Sequence, residues 1–310
     1  MPMVEMGHPP SPPLIKRGYR NPTRPGLGLE VLTFADLRRR LSGGEFRRGH
    51  RLDFHHLTLV HAGEGVGTVD FVDRPCRPGT LLHIRPGQVQ RLPMTPDGEP
   101  ADLDATIVLF TPDFPPRLQA TAQVTDDPFG PASWQLGPDD RRRFGHALAD
   151  LAAEYADYTG PTGPPPFPEP DPDLTKELLR QLLAGILLRI ARLPGPGDSA
   201  PPQSAAEPYR LFQHELERSF GTLRQAHDHA ARLGYSLKTL NRACRRATGH
   251  TAKQLIDARV TLEAKRLLAH TDLPVAAVSH RLGFSEPTNF SKFFTRATGR
   301  TPGAFRTAQR

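Results

Sequence analysis

The sequence predicts a multidomain chain: an N-terminal β-barrel or jelly roll with two helices, then an all-α C-terminal domain in which two helix-turn-helix units are joined by a long linker helix. Three observations predict it. A pattern of residues recurs about fifty positions apart between Leu233 and Phe305. Short runs of strand character, cut by Gly and Pro, fill the stretch from Leu27 to Thr111. Charge is also split along the chain: residues 208–310 hold 18 Lys and Arg against 7 Asp and Glu (+11), while the rest holds 22 against 26 (−4). At 310 residues the chain is long enough for two domains.

Residues 1–25 carry Pro9, Pro10, Pro12 and Pro13 and lack an apolar core segment, so they read as a flexible arm and not a secretory signal. Residues 26–193 form the first domain. Its strand candidates are Leu52–His61, Val66–Val72, Thr80–Ile84 and Ala105–Phe110, and Ala62-Gly63-Glu64-Gly65 reads as a hairpin turn. Several short strands with tight turns argue for a small barrel or jelly roll. One helix is expected from Pro138 to Tyr155, with Phe144, Leu148 and Leu151 on its apolar face. A second spans Leu174 to Leu193, where Leu179, Leu183, Ile186, Ile190 and Leu193 step 4, 3, 4, 3 as in a coiled-coil seam. That seam predicts a homodimer contact through Leu179, Leu183, Ile186 and Ile190. The other reading, a helix capping its own barrel, stays open because Leu178, Leu182 and Leu187 widen the face. Pro161–Pro172 is an extended loop, and 194–207, rich in Pro, Gly, Ser and Ala, is the interdomain linker.

The second domain, 208–310, opens on a helix near Pro208 whose Leu211, Phe212, Leu216 and Phe220 face inward. The first copy of the repeat reads Leu233-Gly234-Tyr235-Ser236, then Leu240, Arg242 and Arg246-Ala247-Thr248-Gly249; the second reads Leu282-Gly283-Phe284-Ser285, then Phe290, Lys292 and Arg296-Ala297-Thr298-Gly299. One extra residue in the second copy is placed near Asn289. In each copy a Gly ends one helix and a Ser caps the next. Leu240, Ala243, Cys244 and Ala247 then form one buried face, and Phe290, Phe293, Phe294 and Ala297 the other. Outward lie Lys238, Thr239, Asn241, Arg242 and Arg245 in the first unit, and Thr288, Asn289, Lys292 and Arg296 in the second. An apolar back with an Arg, Lys, Asn and Thr front suits a major groove, where Arg or Lys reads guanine and Asn reads adenine. Between the copies, Thr251 and Asp272 bracket a helix from Ala252 to Ala269, eighteen residues or about 27 Å, a strut suited to the ~34 Å groove repeat.

Residues 208–310 resemble the DNA-binding domain of the AraC/XylS transcription regulators. Ala258-Arg259-Val260 and Leu262-Glu263-Ala264-Lys265-Arg266-Leu267-Leu268 are similar to that family's linker helix. Leu273-Pro274-Val275-Ala276-Ala277-Val278, Leu282-Gly283-Phe284-Ser285, Phe290-Ser291-Lys292-Phe293-Phe294 and Gly299-Arg300-Thr301-Pro302-Gly303-Ala304-Phe305 match its signature. The resemblance implies base-reading roles for Lys238, Asn241 and Arg242, and for Thr288, Asn289 and Lys292. Pro287 stands where many relatives carry a polar residue, and His229 where the family places an apolar or aromatic one. The first domain resembles the cupin-like effector and dimerisation domain that precedes such DNA-binding domains.

A small-molecule effector in the barrel is therefore expected. Along Leu52–His61 the alternation Phe54, His56, Thr58, Val60 mixes apolar walls with hydrogen-bonding groups, as a ligand pocket requires. His83 and Arg85, on a neighbouring strand, are expected to complete the effector site and to favour an acidic ligand. The alternatives are a DNA-binding regulator without an effector and a metal-dependent cupin enzyme. The latter is disfavoured because adjacent His55 and His56 point to opposite faces and Gln90 stands where a metal-binding cupin has a late histidine. The chain is thus read as a non-enzyme with no metal and no cofactor. Its expected partners are double-stranded promoter DNA, an effector, a second copy of itself and RNA polymerase. Cys76 and Cys244 fall in different domains, which fits a reducing cytoplasm. Leu182–Leu188, interrupted by Gly185, is too short to span a bilayer.

Overall fold

A computed structural model describes residues 15–41, 43–127, 130–159, 172–193 and 203–309. The chain divides into two compact units, Ile15–Asp198 and Ser199–Arg310.

Among the described residues, the first unit is built on ten strands: β1 (Ile15–Arg17), β2 (Leu29–Thr33), β3 (His50–Leu52), β4 (His55–Ala62), β5 (Gly65–Val69), β6 (Val72–Cys76), β7 (Thr80–Ile84), β8 (Val89–Met94), β9 (Asp104–Phe110) and β10 (Ser133–Gln135). Its helices are α1 (Phe34–Arg40), α2 (Gly43–Phe46), α3 (Gln119–Thr125), α4 (Pro138–Thr159) and α5 (Pro172–Ala191). The strands form two sheets, ordered β1-β3-β8-β5-β6 and β10-β7-β4-β9-β2. This is the expected cupin-like sandwich closed towards a barrel.

Alternation along β4 sends His56, Thr58 and Val60 between the sheets and Leu57 and Leu59 to the outer face. Each face carries its own core. Between the sheets lie Leu52, Phe54, Val60, Ile84, Leu92 and Ile107. On the outer face, Leu57, Leu59, Leu81, Val108 and Phe110 meet Phe144, Leu148 and Leu151 of α4 and Leu179, Leu183, Ile186 and Ile190 of α5.

Several expectations are corrected here. The homodimer seam is used up inside the chain: Leu179, Leu183 and Ile186 are fully buried and Ile190 is 2% exposed. The apolar face of α5 is wider than a two-residue seam, so it covers a sheet and does not zip against a partner helix. The turn at Ala62–Gly65 is not a hairpin; β4 and β5 belong to different sheets, and the turn is a corner between them. The hairpin is β5–β6, turning through Asp70 (φ 47°) and Phe71 (φ 69°). Two successive positive φ values mark a type I′ turn, made here without the usual Gly. The Pro-rich arm expected over 1–25 is not free throughout. From Ile15 onward the segment is tied down, with β1 pairing in parallel with β3 and Asn21 buried. The Asn21 Nδ2 donates to Leu29 O (2.6 Å) and Tyr155 Oη (3.0 Å), while its Oδ1 accepts from the backbone N–H of Thr23 and Arg24. The remainder of the arm, 1–14, lies outside the described residues, as do 160–171 and 194–202.

The second unit contains α6 (Gln203–Ser219), α7 (Ala226–Arg232), α8 (Leu237–Thr248), α9 (Ala252–His270), α10 (Val275–Arg281), α11 (Pro287–Thr298) and α12 (Pro302–Ala308). The expected linker therefore ends early, since α6 is helical from Gln203 with Pro208 inside it. Thr251 caps α9 through a reciprocal pair with Gln254. At nineteen residues α9 is about 28 Å long. Phe305 of α12 packs edge-on against Phe294, and Arg306 donates to the carbonyls of Leu268 and Leu273 behind the strut.

Candidate functional site

The helix-turn-helix pairs are α7–α8 and α10–α11. Leu240 and Cys244 are fully buried, as are Phe290 and Phe294; Ala243 and Phe293 are nearly so. Ala247 is half-buried, but its counterpart Ala297 is exposed, a departure from the expected inner face. Lys238, Arg242 and Arg245 stand exposed on α8, with Thr239 half-buried beside them. Thr288, Asn289, Lys292 and Arg296 line the outer side of α11. Both helices end on left-handed glycines, Gly249 (φ 77°) and Gly299 (φ 73°).

The two copies differ at their N-termini. Ser236 caps α8, its Oγ accepting from Thr239 N–H at 3.1 Å. The second helix begins instead after Glu286, whose side chain makes no cap, with Pro287 in the first turn. The glycines Gly234 and Gly283 are 49 positions apart and the capping residues Ser236 and Glu286 are 50 apart. The extra residue thus sits in the turn between Gly283 and Glu286, not near Asn289.

Asn241 does not stand free for base reading. Its Oδ1 accepts the backbone N–H of Ala252 at 3.0 Å, so one lone pair of its amide oxygen is taken up and the side chain is tied to the start of the strut. His229 is fully buried, with its ring edge-on to Phe212 and Nε2 against the carbonyl of Leu223; it is a core histidine.

A largely buried ionic chain that the sequence reading missed joins α6 to α9. Arg259 donates to both carboxylate oxygens of Glu217 (2.6 and 3.0 Å) and lies 3.3 Å from Glu263, which Arg266 approaches at 3.4 Å. The Arg259 guanidinium also covers the Phe220 ring at 3.9 Å. Charged residues within an otherwise apolar linker-helix pattern are the sequence signal that could have found it.

In the first unit the expected effector trio comes apart. His56 faces the barrel interior, its Nδ1 against Gln90 Nε2 (2.9 Å) and its Nε2 against Thr58 Oγ1 (2.9 Å). On β7 the alternation places Leu82 and Ile84 inside, so His83 faces outward. There it meets His55 (3.1 Å), which stacks on Phe110 at 4.5 Å between ring centroids. Arg85 is also turned away: its guanidinium holds the carbonyls of Val124, Gly130 and Pro131. Only His56 of the three therefore lines the barrel.

Its cavities are unequal. The enclosed one, about 20 Å³, is lined by His56, Thr58, Val60, Cys76 and Gln90, among others, and holds little more than a water. A larger pocket of about 170 Å³ opens at the barrel mouth between Tyr19, Glu30, Arg40, His50, Phe54, His56 and Gln90. His56 and Gln90 line both. Glu30 is paired with Arg40, and Arg17 with Glu45, and Arg20 lines the mouth beside them, so the mouth is net positive. Among the described residues no group of three or more His, Cys, Asp or Glu is arranged to hold a metal ion, and no helix is long and apolar enough to cross a membrane.

Burial depresses His55, His56 and His83. His55 falls to about 3, by desolvation and then by the Arg85 charge; His56 falls to about 4, by desolvation and then by His50. His83 is lowered as well, first by burial. All three stay neutral when folded, whereas the unfolded chain protonates them near the ordinary value of 6.5. Their contribution to stability is thus complete above pH 6.5 and drains away as pH falls towards 4, at about 1.4 kcal/mol per histidine per pH unit. Trp134, the single tryptophan, packs on the outer core of this unit and reports its unfolding. Urea midpoints followed by Trp134 fluorescence should drop steeply between pH 7 and pH 5, and an unchanged midpoint would contradict the assignment.

Comparison with known proteins agrees with both halves. The profile of the AraC-like ligand binding domain matches residues 34–183, and that of a helix-turn-helix domain matches residues 229–308. The HTH-type transcriptional activator RhaS of Escherichia coli O1:K1 / APEC is 23% identical over 269 residues, covering 85% of this chain and 88% of that protein. Among solved structures, the DNA-binding domain of AdpA, the global transcriptional factor, in complex with a target DNA is 31% identical over 33% of this chain and 92% of its own, with a TM-score of 0.31. ToxT from Vibrio cholerae O395 is 9% identical over 82% of this chain and 88% of its own, with a TM-score of 0.40. With a ligand-binding domain followed by a tandem helix-turn-helix domain, the chain belongs to the AraC family of DNA-binding transcription regulators.

Proposed function

We propose that this regulator reads promoter DNA through Lys238, Thr239, Arg242 and Arg245 of α8 and through Thr288, Asn289, Lys292 and Arg296 of α11, under control of a small organic effector bound at the barrel mouth. The observation that carries the DNA reading is the matched pair of α8 and α11, each with a buried apolar back and an exposed polar, cationic front, within residues 208–310 of charge +11. Such a front supplies both phosphate attraction and groove readers. Arg242→Ala should cost about 1–3 kcal/mol on the preferred duplex and relax preference at one base pair. Titrations on matched and mismatched duplexes check this; an equal loss on every sequence would reduce Arg242 to a phosphate clamp.

The effector reading rests on the 170 Å³ pocket, where His56 and Gln90 form a polar floor beneath apolar walls. The barrel is read as a sensor and not an enzyme, because Gln90 occupies the Nδ1 lone pair of His56 that a metal would need. Melting of the full chain, followed by Trp134 fluorescence against a metabolite panel, tests it. Stabilisation by an organic compound that is lost in His56→Ala is the expected result, and stabilisation by divalent cations alone would favour a metal-binding cupin instead. The protein is further proposed to work in the cytoplasm as a homodimer and to engage RNA polymerase at the promoter. Leu174, Leu178 and Leu188, on the exposed side of α5, are the apolar positions that support a partner contact there.

A further inference from the structure

The loop between α6 and α7, residues 220–225, touches the second helix-turn-helix unit as well as the first. At one end, Phe220 lies under the Arg259 guanidinium of the strut. At the other, the Arg224 guanidinium sits 3.3 Å from the ring centroid of Phe284 and 5.0 Å from that of Phe293. Phe284 belongs to the α10–α11 turn and Phe293 to α11 itself, and both are nearly buried. The Nε of Arg224 is buried without a hydrogen-bond partner, and the cation is held by the ring faces together with the charge of Asp257 on the strut. The backbones meet here too: a Cβ on Gly283 (φ 74°) would lie 2.3 Å from the carbonyl oxygen of Gly221. Only glycine permits that approach.

The strut packs against α8 on one side and against α10, α11 and α12 on the other, and so joins the two helix-turn-helix units. The loop adds a second point of attachment, closing a triangle of α9, the 220–225 loop and the α10–α11 turn. We propose that Arg224 is a positioning residue: by clamping Phe284 and Phe293 it holds α11 at the angle at which α8 and α11 engage DNA together. The proposal rests on the DNA-reading assignment above. Preorganisation of this kind makes the second contact effectively intramolecular, and its loss lowers two-site affinity with no contact to DNA removed.

The test uses the full chain and a duplex selected from a random pool by the wild-type protein, together with versions in which either half of the bound sequence is scrambled. Arg224→Ala should bind the intact duplex about tenfold more weakly, as expected for one partly desolvated cation–π contact. On the duplex whose second half is scrambled it should bind within about twofold of wild type, and its salt dependence on the intact duplex should be unchanged. Arg224→Lys, which keeps a cation over the rings, should recover most of the loss. Equal losses on intact and scrambled duplexes, a salt slope reduced by about one, a Lys variant as weak as Ala, or wild-type indifference to scrambling the second half would each overturn the proposal. Failure to select any DNA at all would instead remove the DNA-reading assignment itself.

Discussion

Replacing Arg259 by alanine is expected to unfold much of the C-terminal unit under mild denaturant. Its side chain is 6% exposed and that of Glu263 is 7% exposed, so neither charge can turn to water when the other is lost. Burial alone would lower the Arg259 pKa, but Glu217 and Glu263 outweigh it and hold the group above its ordinary value. Removing one member of a buried ion pair costs about 3–5 kcal/mol, and because Arg266 stays beside Glu263 the low end of that range is expected. Against a typical domain stability of about 5–15 kcal/mol that is a large fraction. Far-UV circular dichroism should show the helical transition moved to lower urea while the Trp134 fluorescence transition stays in place. Replacing Arg259 by Met, which keeps most of the side-chain packing and removes the charge, should be nearly as destabilising. If Arg259→Met were as stable as the wild type, lost packing and not lost charge would be the cause of the Arg259→Ala defect.

Leu183→Glu is expected to be as severe in the other unit. Leu183 is fully buried among α4, α5 and the outer face of the second sheet. A carboxyl in such surroundings has its pKa raised by about 3–5 units and stays protonated at pH 7, which costs up to about 4 kcal/mol relative to its ordinary ionisation, with the lost leucine packing added to that. Leu178→Glu, one turn away and 46% exposed, should change stability by about 0.5 kcal/mol or less. Trp134 fluorescence in urea separates the two. A Leu183→Glu protein with a wild-type midpoint and a smaller sedimentation coefficient would restore the intermolecular seam that the sequence alone suggests.

The contrast between these leucines shows what periodicity reveals and what it leaves open. A 4, 3, 4, 3 step identifies the buried face of α5 correctly, but it cannot say whether a sheet or a second helix covers that face. In the C-terminal unit the signals are local and therefore legible. Left-handed glycines, Ser and Thr caps and apolar stripes act within one or two turns: α8 and α9 begin on Ser236 and Thr251, α8 and α11 end on Gly249 and Gly299, and α11 starts one residue past the expected Ser285. What escapes a sequence reading there depends on contacts between elements. Asn241 has the chemistry of a reader, but the N-terminus of α9 folds against it, and the Glu217–Arg259 pair spans 42 positions.

In the barrel the strand positions are legible and the pairing is not. Gly63 marks a turn, but whether the turn joins neighbours in one sheet or crosses to the other depends on long-range hydrogen bonds. The hairpin at Asp70–Phe71 has no Gly to announce it. Alternation within β4 places His56 and Thr58 inside, as the structure does. Nothing local fixes the parity of β7 against it, which is why His83 and Arg85 fall on the other face from the one expected. The pocket's outer wall, including Tyr19, Glu30 and His50, comes from segments distant in sequence that no local pattern connects.

The cap made by Asn241 also bears on how this regulator can diverge. At that position of α8 a change of residue loosens the first turn of α9 before it alters any preference for a base. The matching position in α11 is Ser291, half-buried. On the proposed DNA-reading assignment, descendants of a duplicated copy should therefore find new target sequences more readily through substitutions in α11, while the half of the operator assigned to α8 drifts slowly. Deep mutational scanning for altered-target variants would show that asymmetry as an excess of accepted changes in α11 over α8.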